Sequence, residues 1–262
     1  MNILIIGSPN PNLITLIKES KYFDKIYIAS NEKFDKFPNI EYRTFDELIQ
    51  KAIAIKTDIA INTKQELIND GIVEAFESSK INLISVNKKW LNLEQSRLSA
   101  KQLLNHYKIN TPERILAPLN FPIMLKTDTP EACYKIISMQ DLITKMQELK
   151  GQVTFLEEYL GEEKFKIYLI WDHENIKIFY DEDNLTEVQK DRLDLLKTKL
   201  NFMFSDENAD FTGIFTINLA WYKNDWYVIN FDTDMNISQE AFRNIDFVYL
   251  LNSAIYQKLN EV

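Results

Sequence analysis

Glycine is scarce: there are five in 262 residues, about 2% where an average chain has near 7%. Few places are left where backbone can approach a ligand closely or adopt a positive φ. Cysteine is scarcer still. The single Cys133 excludes an internal disulfide, and with two histidines and no CxxC there is no metal-binding pattern of that kind. No His or basic cluster adjoins Cys133 in sequence, so it reads as a small apolar filler, not a nucleophile. No apolar run approaches the roughly 18–20 residues of a membrane span. Met1 leads straight into a strand pattern with no basic segment or cleavage site, so no secretory signal is expected. Positive charge is in deficit, with 30 Lys and Arg against 39 Asp and Glu, a net charge of −9 and a pI near 4.9. Such a balance argues against nucleic acid or an anionic membrane as partner. It leaves room for a local basic pocket that takes one phosphate compound. The expectation is a soluble cytoplasmic protein.

What is present is ordinary globular material, 45% hydrophobic and 26% charged. The first 87 residues alternate strand and helix. "NILIIG", "KIYIAS", "DIAINT" and "INLISVN" are short β-branched runs, and helical patterns separate them at 11–20, 45–55 and 64–79. That rhythm implies a parallel sheet covered by helices. Ligands of such sheets sit at the carboxyl ends of the strands, here Gly7–Asn10 and Thr63–Gln65. "GSPNPN" is not the GxGxxG fingerprint of a dinucleotide site.

A long amphipathic stretch runs from Lys88 to Tyr107, and Pro112, Pro118 and Pro122 make helix unfavourable after it. The remainder reads as strands and three helices, the first of them over 139–150. Thr186 with Gln189 forms a capping box before an amphipathic helix, and strands 211–222 and 225–234 meet at a Lys223–Asn224 turn. A helix from about Gln239 to Leu259 closes the chain. Trp90, Trp171, Trp221 and Trp226 fall in core patterns, and His106 and His173 in surface ones. The expected class is α/β plus α+β. It comprises an α/β domain over 1–87, a connecting helix over 88–111 and a mostly antiparallel domain over 112–262, with a small subdomain at about 112–160.

Three features of the second half belong together. "FPIMLKTD" ends an apolar strand with Lys126, a cation that must face an anion there. "FLEEYLGEE" follows a strand with acids, a glycine turn and more acids. "YVINFDTD" sets Asn230 and Asp232 two apart, on one face of a strand, with Phe231 on the other. Oxygen donors of this kind suit Mg²⁺, which takes one or two carboxylates beside substrate phosphates.

Together these resemble an ATP-grasp protein, and among such proteins the phosphoribosylamine–glycine ligase family. "MNILIIGS" is similar to that family's first strand and loop, and "LNLEQSRLSAKQLLNHYKINTPE" to the helix leading into its ATP-grasp half. "PIMLKTD", "FLEEYLGEE" and "VINFDTD" are similar to its "PIVIKAD", "IEEFLDGEE" and "VIEFNCR". The resemblance implies an ATP-grasp fold with an amino-terminal parallel-sheet domain, and ATP and Mg²⁺ as cofactors. It makes Lys126 the lysine near the phosphates, with Lys135 as its loop counterpart. Glu157, Glu158, Tyr159 and Leu160 become the adenine-facing hinge, Glu163 the ribose contact, and Asn230 with Asp232 the magnesium pair. The implied activity is ATP-dependent ligation of a carboxylate to an amine through an acyl phosphate.

The departures run in one direction. The family follows its lysine with a glycine-rich loop containing GKG, and here "TPEACYKIIS" stands in its place. "GSPNPNLI" replaces "GSGGREHA", "NTKQEL" replaces "GPEAPL", the segment between the ATP-grasp strands has shrunk to about "DEDNLTEVQ", and "TDMNIS" replaces "RFGDPE". Successive N–H groups cradle a phosphate in conformations that glycine adopts at little cost. Two functions therefore stand open: an active ligase of unassigned substrates, or an inactive descendant that binds a nucleotide or a protein partner.

Overall fold

The β-branched runs become strands and the amphipathic segments helices. The computed structural model describes residues 1–262 except 9, 31, 33, 35, 119 and 182–184. β1 (Asn2–Ile6), α1 (Pro11–Glu19), β2 (Lys25–Ala29), α2 (Phe45–Ala54), β3 (Ile59–Asn62), α3 (Gln65–Asn69), α4 (Ile72–Ser79) and β4 (Asn82–Ile84) follow in order. The four strands form a parallel sheet in the order β2-β1-β3-β4. Ile3 to Ile6 and Ile59 to Ile61 are buried, as strands covered on both faces must be. The helical pattern over 64–79 is split at Gly71, whose φ of 94° sets it in the left-handed region.

The stretch from Lys88 is likewise two helices, α5 (Lys88–Gln95) and α6 (Arg97–His106). Ser96 divides them, because its extended backbone ends one helix and its side chain accepts the Ser99 N–H to cap the next. A small antiparallel sheet then forms from β5 (Arg114–Ile115), β6 (Ile123–Thr127), β7 (Cys133–Ile136) and β8 (Thr154–Glu158), in the order β5-β8-β6-β7. α7 (Met139–Glu148) packs on one face through Leu142, which joins Ile123, Leu125, Ile136 and Leu149 in a core of its own. Cys133 is exposed on the edge strand β7, which corrects the reading of it as an apolar filler.

The third sheet is antiparallel in the order β10-β9-β11-β12, from β9 (Phe165–Asp172), β10 (Ile176–Phe179), β11 (Thr212–Tyr222) and β12 (Asp225–Asp232). α8 (Glu187–Asp206) starts at the expected capping box. Lys223 and Asn224 both have positive φ, 50° and 58°, as a two-residue hairpin turn requires. The expected closing helix is broken into α9 (Gln239–Phe242), α10 (Phe247–Ile255) and a 3₁₀ turn at Leu259–Glu261.

The two large hydrophobic clusters each draw on both the parallel sheet and the third sheet. The sheets meet where the Ser85 N–H donates to the Thr212 carbonyl at 2.9 Å. Beside that bond, a side chain on Gly213 would lie 3.1 Å from the Ser85 carbonyl carbon, so a larger residue would have to push the two strands apart by a few tenths of an ångström. Trp90, Trp171 and Trp226 are buried in this body and Trp221 is partly so. Among the described residues no helix is long and apolar enough to cross a membrane.

Candidate functional site

Strand register decides which side chains share a face. In the small sheet Lys126 lies opposite Cys133 on one side and Phe155 on the other, while Met124 lies opposite Lys135 and Glu157. Lys126, Lys135 and Glu157 therefore project from one face, and the apolar residues beneath α7 from the other. On the third sheet Lys166, Asn218 and Asn230 form one cross-strand row, and Tyr168, Thr216 and Asp232 the next. Thr216 is buried directly opposite Asp232, and its hydroxyl has no hydrogen-bond partner among the described residues.

The two faces meet at a buried ion triad. Glu157, 2% exposed, pairs through one carboxylate oxygen with Lys126 and through the other with Lys101 at 3.1 Å. Lys101 comes from α6, where it sits beside Ala100 and Leu104 among the buried positions. It also donates to Thr111 Oγ1 at 3.1 Å and to the Pro112 carbonyl. Burial holds its pKa below the usual lysine value, and the Glu157 carboxylate opposes that shift. Phe155, Ile229, Asn230 and Phe231 close around the triad and leave a cavity of about 10 Å³, no more than one water molecule needs.

The segment where a glycine-rich loop was sought is a tight turn with its carbonyls facing inward. The Arg97 guanidinium donates to the carbonyls of Thr127, Thr129, Pro130 and Ala132 at 2.7 to 3.3 Å. Asp128 locks the same turn from the other side, its carboxylate accepting the Leu98 N–H at 2.8 Å and the Ser96 hydroxyl at 3.0 Å. The N–H groups of Thr127, Asp128 and Ala132 donate to Ala132 O, Val153 O and Thr127 Oγ1 respectively. A phosphate cradle needs the opposite polarity, N–H groups turned towards the anion.

Lys135 is engaged as well. It contacts the Glu162 carboxylate and the Tyr159 hydroxyl and lies over the Tyr159 ring at 4.4 Å. Glu158 accepts the Glu113 N–H at 3.2 Å, Leu160 is buried, and Glu163 is exposed at the rim of a cavity of about 520 Å³. Phe165, Lys166, Tyr168 and Trp226 also line that larger space, which shares no lining residue with the cavity beside the triad. Asn230 borders the triad, while Asp232 turns towards Glu94 and Asp234 and accepts the Asp234 N–H at 2.9 Å. Burial raises the pKa of Asp232, and burial together with Asp232 raises that of Asp234. Among the described residues no group of three or more His, Cys, Asp or Glu side chains is placed to hold a metal ion.

In this arrangement the residues do not fit a nucleoside triphosphate. Lys101, Lys126 and Lys135 each already have a carboxylate partner, the turn presents carbonyls, and the cavity beside the triad has room for no more than one water molecule. One carboxylate and one amide would give Mg²⁺ a set that depends on phosphate oxygens to complete it. Lys101, Arg97 and Asp128 went unnoticed in the sequence. The available signal was a lysine at a helix position where the 3.6-residue period calls for an apolar side chain. Of the substrate loops, Gly7 accepts close packing against Thr63, residue 9 lies outside the described residues, and so do residues 182–184 of the shortened segment.

No family model matches the chain. It is 26% identical to a phosphoribosylamine–glycine ligase of Fusobacterium nucleatum over 67% of its own length and 48% of that protein's, so it spans about half of that relative. It is 23% identical to the Clostridium acetobutylicum protein of the same name, over all of this chain and 76% of that one. Among solved structures, phosphoribosylamine–glycine ligase of Thermotoga maritima superposes with a TM-score of 0.74 at 14% identity, covering 98% of this chain and 76% of that one. D-alanine–D-alanine ligase of Bacillus anthracis, solved with ATP, superposes with a TM-score of 0.65 at 14% identity over 100% and 99%.

Proposed function

For a chain with the ATP-grasp fold, similar in sequence to phosphoribosylamine–glycine ligases, we propose that it no longer runs a ligase reaction and serves as a binding module. The observation that carries this reading is the Lys101–Glu157–Lys126 triad. An ATP-dependent ligase must neutralise charge on a transferring phosphoryl group with cations held ready for it. Here those cations are committed to an internal carboxylate in a desolvated place, where breaking the pairs is costly. The inward carbonyls of the 127–132 turn support the same conclusion.

The test is a thermal unfolding scan with and without millimolar Mg-ATP, run beside an assay for ADP release with amine and carboxylate mixtures. A ligand at about 100 times its dissociation constant adds roughly 2.7 kcal/mol, which for a chain of this size raises the midpoint by about 5–10 °C. No shift and no ADP are expected. A ligase remains the second reading, favoured by the convergence of Lys126, Lys101 and Asn230 on one point. Release of ADP that disappears in Lys126→Ala, with the variant still folded, would establish it.

A further inference from the structure

Resting on this reading of the site, we propose that segment 157–162 is an intramolecular ligand: its carboxylates occupy the lysines that would otherwise take a polyphosphate anion. Two contacts at opposite ends of the segment carry this. Glu157 bridges Lys126 and Lys101 in the interior, and Glu162 engages Lys135 at the surface. Tyr159, between them, adds its hydroxyl and its ring to Lys135. One short stretch thus engages all three cations, and Lys126 and Lys135 come from adjacent strands and share a face.

The plug does not balance the charge around it. Two buried ammonium groups face a single buried carboxylate, so the triad keeps one positive charge uncompensated. A buried cation without a partner is costly, and a more highly charged anion would compensate it better than a carboxylate does. Glu157→Gln keeps the volume of the side chain and leaves two buried lysines without an anionic partner. Removing the Glu162 charge frees only the outer lysine, whose pair is exposed.

Inorganic triphosphate is the probe, with sodium chloride at matched ionic strength as control. Wild type is expected to show no specific shift in unfolding temperature. Glu157→Gln should unfold at a lower temperature than wild type and be restored by triphosphate but not by the chloride control. Its apparent affinity for triphosphate should exceed that of wild type at least tenfold, on the order of a broken buried pair. Glu162→Gln should fold normally and gain about threefold, the scale of a surface pair. If Glu157→Gln does not fold, Glu162→Gln decides alone. No gain in either variant overturns the proposal, and so does weaker binding by Glu157→Gln than by wild type, which would make Glu157 a ligand contact. ADP release by wild type would overturn the non-catalytic reading instead, whatever these variants do.

Discussion

At the scale of single residues, charge is placed against the ordinary preference for solvent. Asp232 is half-buried, faces Glu94 and Asp234, and has its pKa raised chiefly by burial. A carboxyl whose folded pKa lies above its unfolded value opposes folding when ionised. The penalty is full above the folded pKa and vanishes as pH falls below the unfolded value of about 3.9. Asp232→Asn should therefore raise the unfolding temperature at pH 7, because an amide oxygen can still accept the Asp234 N–H. Scans from pH 7 down to pH 3.5 should show the gain shrinking. A constant difference, or a loss at pH 7, would mean that Asp232 is stabilised by a contact other than that N–H. Asp172, fully buried, accepts the N–H groups of Glu174, Asn175 and Leu259 and ties the β9–β10 hairpin to the chain's last turn.

At the scale of elements, α6 organises the site. Its first residue, Arg97, gathers the carbonyls of the 127–132 turn, and one turn later Lys101 enters the triad. Both point from the same helical face, since they are four residues apart. Arg97→Ala should release the turn at a cost of roughly 1–2 kcal/mol, the scale of charge-assisted hydrogen bonds at a partly exposed site. Limited proteolysis should then cut within residues 128–132 faster than in wild type, and the urea midpoint should fall. An unchanged cleavage rate would mean that Asp128 alone holds the turn against α6.

At the scale of the whole molecule, the three sheets are not equally supported. The parallel sheet and the third sheet share two extensive cores, whereas the small sheet rests on five buried residues and α7. Local opening follows the density of buried apolar contacts. Native-state hydrogen exchange should show amides of β6 and β7 opening at lower free energy than those of β1, β9 and β11. Lys101 and Glu157 link α6 to the small sheet, so Glu157→Gln should lower the protection of β6 and β8 further. Equal protection across the three sheets would make the chain a single cooperative unit.

The order of elements was legible in the sequence because it depends on neighbours a few residues apart. Alternating β-branched runs and 3.6-residue periods located the strands and most helices, the Thr186–Gln189 cap and the Lys223–Asn224 turn. The same local signals placed Lys126 at a strand end and Asn230 beside Asp232. Breaks at Gly71, Ser96 and residues 243–246 escaped because each continues an apolar period across a cap. Tertiary structure alone decided what the charged groups face. Glu157 meets Lys101 from 56 positions away, and Arg97 meets carbonyls about 30 positions away. Ion pairs and carbonyl contacts at such separations leave no periodic trace, since they depend on sheet register and on how a helix crosses a strand. The missing glycines indicated that a phosphate loop had changed; only the folded chain shows Lys101 and Lys126 paired with Glu157, and Lys135 with Glu162.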